Sequence, residues 1–153
     1  MELFGHTKDV IRANYFYLME RMCPSKISDA RDIPIIINNY NRLTMLKKLI
    51  DSLTSRGYTN IVILDNQSTY PPLLEWYDKC QFEVIRLPKN YGFKALWKYA
   101  PVRKRFCSDY YIYTDPDVQL SPECPADVVE RMFHILKCKR KKAFKIAPSI
   151  RIT

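Results

Sequence analysis

From Ile33 onward, short β-branched runs alternate with longer segments whose apolar residues recur at helical spacing, and this alternation constrains the fold more than any other feature. Ile33 to Ile37 reads as a strand buried on both faces. Asn38-Asn39-Tyr40-Asn41 follows, with Asn41 placed to cap a helix from Arg42 to about Arg56. That helix sets Leu43, Leu46, Leu49, Ile50 and Leu53 on one face, and Gly57 suits the residue just beyond its end. A second strand, Asn60 to Leu64, breaks at Asp65-Asn66-Gln67-Ser68-Thr69, and Pro71 or Pro72 opens a helix reaching Lys79. A third strand, Phe82 to Leu87, closes on Pro88-Lys89-Asn90-Tyr91-Gly92, and a short helix from Phe93 to Tyr99 stops before Pro101. Asp109 to Tyr113 is the fourth strand, Ala126 to Lys139 a helix, and Phe144 to Ile152 a further strand. The order predicts an α/β sandwich of three layers around a mainly parallel sheet. Ahead of it, Val10, Ile11, Tyr15, Leu18, Met19 and Met22 predict an amphipathic helix ended by Cys23-Pro24-Ser25. Residues 1–32 are therefore expected to be a helical extension, packed on the domain or facing a partner or membrane surface, and residues 33–153 the domain itself.

In a parallel sheet, ligands collect at the carboxyl ends of the strands. Four polar clusters, at 38–41, 65–68, 90–92 and 115–117, each follow a predicted strand and so fall along one edge. The last is Asp115-Pro116-Asp117. Side chains at i and i+2 of an extended chain point the same way, and Pro116 biases Asp115 toward that conformation. Two such carboxylates can bind a hard divalent cation, which can in turn hold a diphosphate. With ten Asp in 153 residues, an Asp-x-Asp triplet is close to a chance event, so its position carries the argument. No Gly-x-Gly-x-x-Gly fingerprint or Walker loop occurs, so a bound diphosphate would need metal. Asp65 can accept a hydrogen bond from a nucleobase or ribose, or can start an Asx-turn. Asn90 suits a turn in which Gly92 supplies positive φ.

Hydrophobic content of 47% with 27% charged residues describes a globular chain rather than a disordered one, and no apolar stretch approaches the length of a membrane span. Five scattered cysteines without a C-x-x-C pair, and only two histidines, argue against a zinc site and for reduced thiols in a cytoplasmic protein. The N-terminus lacks the apolar core of a signal peptide. A net charge of +9 favours an anionic partner, and removing the six cations within 137–145 leaves only +3. That cluster reads as a cationic helix end and solvated turn, or as a peripheral contact to an anionic membrane. Tyr110, Tyr111 and Tyr113 fall in a strand rather than on an exposed basic face, which argues against nucleic acid.

Ile-Pro-Ile-Ile-Ile-Asn-Asn-Tyr-Asn-Arg (33–42), Ile-Leu-Asp-Asn-Gln-Ser (63–68), Asn-Tyr-Gly (90–92) and Tyr-Thr-Asp-Pro-Asp-Val (113–118) resemble, in order and spacing, the successive motifs of family 2 glycosyltransferases. The resemblance implies a GT-A fold, a nucleotide-diphosphate sugar donor, and Mn²⁺ or Mg²⁺. It also implies an inverting transfer to the hydroxyl of a saccharide or lipid-linked acceptor. Asp65 would contact the base or ribose, Tyr40 would lie beside the base, and Asn90 and Gly92 would line the donor pocket. Asp115 would approach the ribose or metal, and Asp117 would ligate the metal. In that family the general base and the acceptor-binding half follow the strand equivalent to 144–152, whereas this sequence stops at Thr153. The expectation is thus a donor half, cut from a longer enzyme or completed by a partner or dimer mate, with no catalytic base assigned. Two other readings compete: a sugar nucleotidyltransferase, and a non-catalytic basic module for nucleic acid or a membrane surface.

Overall fold

The computed structural model describes residues 3–22, 24–139 and 143–148. These group into two compact units, one spanning 31–126 and the other drawn from 1–30 and 127–153.

The 31–126 unit is built on four parallel strands: β1 (Ile35–Asn39), β2 (Ile61–Asp65), β3 (Glu83–Arg86) and β4 (Ile112–Thr114), in the spatial order β3-β2-β1-β4. The register is set by Ile35 opposite both Ile61 and Ile112, and Val62 opposite Glu83. Every residue of β1 and β2 is buried, as expected for central strands of a parallel sheet covered on both faces. Between the strands run α2 (Leu43–Thr54) and α3 (Pro71–Tyr77), then the short pair α4 (Ala95–Lys98) and α5 (Ala100–Phe106). The steps β1 to β2 to β3 travel one way across the sheet and β3 to β4 returns. Right-handed crossovers therefore put α2 and α3 on one face and α4 and α5 on the other. Side-chain alternation matches this arrangement: Ile36, Val62 and Leu64 join Leu87, Ala95, Leu96, Val102 and Phe106 in one apolar cluster. Ile35, Ile37, Ile61 and Ile63 point to the opposite face by the period of two, and all are at least 96% buried. Leu46, Leu49, Ile50 and Leu53 form the buried stripe of α2.

The sandwich and parallel sheet agree with the sequence-based expectation; three local features differ from it. Asn41 does not cap α2, whose first flanking residue is Arg42 with no side-chain cap. Instead Asn41 takes φ 54°, and its Oδ1 accepts from the backbone N–H groups of Thr69 (2.7 Å) and Tyr70 (2.9 Å), so it fixes the turn that leads into α3. The short helix does stop before Pro101, with Tyr99 extended at ψ 104°, but Pro101 then sits in the first turn of an unforeseen further helix, α5, where its missing N–H costs nothing. No strand occurs among the described residues 143–148, and the rest of the strand expected at 144–152 lies outside the described residues.

The other unit contains α1 (Leu3–Met22) and α6 (Val128–Cys138). α6 buries Val128, Val129 and Phe133, and an Asp127–Arg131 pair (2.8 Å) closes its first turn. His134 of this helix is exposed, with Nε2 3.4 Å from Cys138 Sγ. Among the described residues no helix is long and apolar enough to cross a membrane.

Candidate functional site

The loops that leave the carboxyl ends of all four strands meet around a cleft of ≈ 280 Å³. β1 and the loop after it contribute Asn38, Tyr40 and Arg42; the turn after β2 contributes Asn66; the segment after β3 contributes Asn90, Gly92 and Phe93. The turn after β4 contributes Asp115, Pro116 and Asp117. Strand order reverses between β1 and β4, and such a switch point opens a crevice because successive connections leave in opposite directions.

Side-chain amides hold these loops together. Asn66 is 2% exposed; its Oδ1 accepts from Tyr91 N–H (2.7 Å) and its Nδ2 donates to the Gly92 carbonyl (3.1 Å). Asn66 N–H also donates to the Asn39 carbonyl (2.8 Å), so one residue ties three loops. Asn90 Oδ1 accepts from Gly92 N–H (2.8 Å), forming the expected turn, with Gly92 at φ 66°. Ser68 Oγ accepts from Asn41 N–H (2.9 Å). Asn38 Nδ2 donates to Asp115 Oδ1 (3.2 Å), joining the end of β1 to the carboxylate pair.

Of the residues nominated from sequence, Tyr40, Asn90, Gly92, Asp115 and Asp117 come together in the lining. Asp115 and Asp117 are both exposed, and the proline between them is buried and anchors their turn. Asp65 lies outside the lining and is 2% exposed. Alternation explains this: Asp65 pairs in register with Asn39, and both project to the α3 face while Asn38 and Leu64 project to the other. There the Tyr77 hydroxyl donates to Asp65 Oδ1 (3.4 Å) and accepts from Asn39 Nδ2 (2.7 Å). Both Asp65 oxygens also receive Ser68 N–H, at 3.2 and 3.3 Å. Burial, with the Asp65 charge adding to it, pushes the Tyr77 phenol well above its ordinary range.

Sequence reasoning gave no role to Asn38, Arg42, Asn66 or Phe93. The signal available was the polar pair Asn38-Asn39 closing an otherwise apolar run, since a buried amide persists only where it has partners. Phe93 is 69% exposed on the rim. The Tyr113 hydroxyl donates to the Phe93 carbonyl (3.1 Å), and Trp97, 42% exposed, stacks edge-on against Tyr113 at 4.9 Å. Burial, helped by the Asp115 charge, raises the Tyr113 phenol to about 12.

The donor chemistry suits a hard cation only in part. Two carboxylates one residue apart are suitable oxygen ligands, yet no group of three or more His, Cys, Asp or Glu occurs among the described residues. A Mg²⁺ or Mn²⁺ ion held by one or two carboxylates takes its remaining ligands from substrate phosphate and water, and the open cleft beside the pair leaves room for these. The residues therefore fit a cation that arrives with a diphosphate.

A search of the curated proteins and of the solved structures finds no significant match. The family model described as Glycosyl transferase family 2 matches residues 35–135, which takes in all four strands and every residue lining the cleft. The chain therefore belongs to glycosyl transferase family 2.

Proposed function

We propose that this glycosyltransferase chain binds a nucleotide-diphosphate sugar across its strand ends, holds Mn²⁺ or Mg²⁺ through Asp115 and Asp117, and transfers the sugar with inversion to an acceptor hydroxyl. The observation that carries this reading is the convergence of four loops, distant in sequence, on one cleft with a carboxylate pair at one wall. Tyr40, 47% exposed, offers a ring face for the nucleobase. Asn90 and Gly92 also line the cleft, and Arg42 supplies a permanent positive charge for phosphate. Asp65 supports the 65–68 turn from beneath, through the Ser68 N–H it accepts.

In the transfer, the acceptor oxygen forms a bond to the anomeric carbon as the carbon–oxygen bond to the diphosphate breaks. A cation held there would supply charge neutralisation for the departing diphosphate. Asp115 and Asp117 would hold that cation, and Arg42 meets charge as it develops on phosphate oxygen, where preorganised charge is most effective. Once both carboxylates are so engaged, no carboxylate remains among the lining residues to form a covalent sugar intermediate. That supports a single displacement, with the acceptor proton passing to a base that the lining residues do not supply.

The test is calorimetric titration of uridine and guanosine diphosphates with and without Mn²⁺, on the wild type and on Asp117→Asn. Wild type is expected to bind one of them at least 10-fold more tightly with metal, a difference of about 1.4 kcal/mol. Asp117→Asn is expected to lose that enhancement while melting unchanged, because an exposed carboxylate contributes little to stability. Equal binding with and without metal for every diphosphate would refute the reading, and unfolding of Asp117→Asn would make the residue structural.

A further inference from the structure

We infer that Asn38 is a positioning residue for the cation site: its carboxamide N–H holds one oxygen of Asp115 so that the other is presented, with Asp117, to the cation and diphosphate. The inference rests on the proposed cation-assisted binding of a nucleotide diphosphate. Asn38 is the last residue but one of β1, next to the strand-order reversal, and lines the same cleft as Asp115. Asn38 is buried, with 9% of the residue exposed, whereas Asp115 is exposed on a turn. The rigid partner of the pair is thus the strand amide, and the carboxylate is the group being fixed. Asp115 Oδ1 accepts from Asn38 Nδ2 at 3.2 Å. A carboxylate only accepts, so the amide must turn its nitrogen toward Asp115 and its oxygen away.

That orientation carries a cost. Asn38 Oδ1 is buried and finds no hydrogen-bond partner among the described residues. A buried acceptor left unsatisfied is retained against stability, and the return on that cost is the orientation of Asp115. An apolar side chain of similar size would remove the orphaned oxygen together with the hydrogen bond, so the fold should tolerate it. The cation site should not. Partners that orient metal ligands are worth about 10–100-fold in metal affinity.

The experiment compares wild type, Asn38→Leu and Asn38→Ala. Each is titrated with uridine or guanosine diphosphate, whichever the wild type prefers, with Mn²⁺ and with EDTA, and melted without ligand. In Asn38→Leu the Mn²⁺-dependent gain in affinity is expected to fall about 10-fold or more, while binding in EDTA stays within about 2-fold and Tm within about 4 °C of wild type. Asn38→Ala should lose the Mn²⁺-dependent gain to the same extent while melting lower, because it also leaves a cavity. An unchanged Mn²⁺-dependent gain in both variants overturns the inference and leaves the diphosphate reading standing. Parallel losses with Mn²⁺ and EDTA also overturn it, because they mark a general packing role. If the wild type shows no metal enhancement at all, both the inference and the reading beneath it fail.

Discussion

Replacing Asn66 with alanine tests whether side-chain amides, rather than the backbone alone, hold the cleft open. In the native chain the Asn66 carboxamide makes two hydrogen bonds to the turn after β3, to Tyr91 N–H and to the Gly92 carbonyl. Alanine leaves both without their partner. Gly92 is exposed, so water replaces the donor lost at its carbonyl and that bond costs little. Tyr91 is half-buried, and an unsatisfied N–H there costs about 1–3 kcal/mol. Adding the small void left by a side chain that is 98% buried, the destabilisation should be about 2 kcal/mol. For a chain of this length that corresponds to a Tm lowered by about 4–8 °C. Urea denaturation followed by circular dichroism reads the first quantity, and a thermal melt reads the second. Because the freed turn carries Asn90, Gly92 and Phe93, affinity for a nucleotide diphosphate should weaken about 10-fold as well. If Asn66→Ala stays within about 0.5 kcal/mol of wild type and binds diphosphate normally, the turn is held by other contacts and the amide-staple argument is wrong.

Tyr77→Phe removes the hydroxyl between Asn39 and Asp65 and should cost about 1–3 kcal/mol, because the buried Asn39 amide loses its acceptor; a urea midpoint equal to wild type would show that a water takes the hydroxyl's place. Tyr113 predicts an alkaline limit to stability. Its phenol is raised to about 12 by burial, whereas in the unfolded chain it ionises near its ordinary value of about 10. The stabilising difference is complete below pH ~10 and is lost as pH climbs from there through the folded value, because the unfolded chain releases its proton first. Urea midpoints between pH 9 and 11.5 should fall along that path, and Tyr113→Phe should flatten part of the fall. An identical slope in the variant would assign the effect to other groups.

The sheet was legible from the sequence because its determinants are local. A β-branched run such as Ile35–Ile37 or Ile61–Ile63 has few alternatives to a buried strand, and the polar turns after the strands follow from chain order once the sheet is parallel. Hence Tyr40, Asn90, Gly92, Asp115 and Asp117 could be nominated together, and they do meet in one cleft. Helix α5 was missed for a local reason of another kind: proline is read as a stop, although it is equally suited to a first turn.

Which partner each amide and carboxylate finds depends instead on contacts between segments distant in the chain. Asn41 lies two residues before the start of α2 yet binds the turn leading into α3, because its positive φ turns the side chain toward residues 69 and 70. Asp65 and Asn66 are adjacent in sequence, but the strand's period of two sends Asp65 to Tyr77 on one face and leaves Asn66 to line the cleft. Asn38 and Asp115 lie 77 residues apart and meet only because β1 and β4 are neighbours. Hydrophobic patterning fixes which segments are buried. Hydrogen bonds are directional and short in range, so their pairing follows from strand order and register, which appear only when the whole sheet has formed.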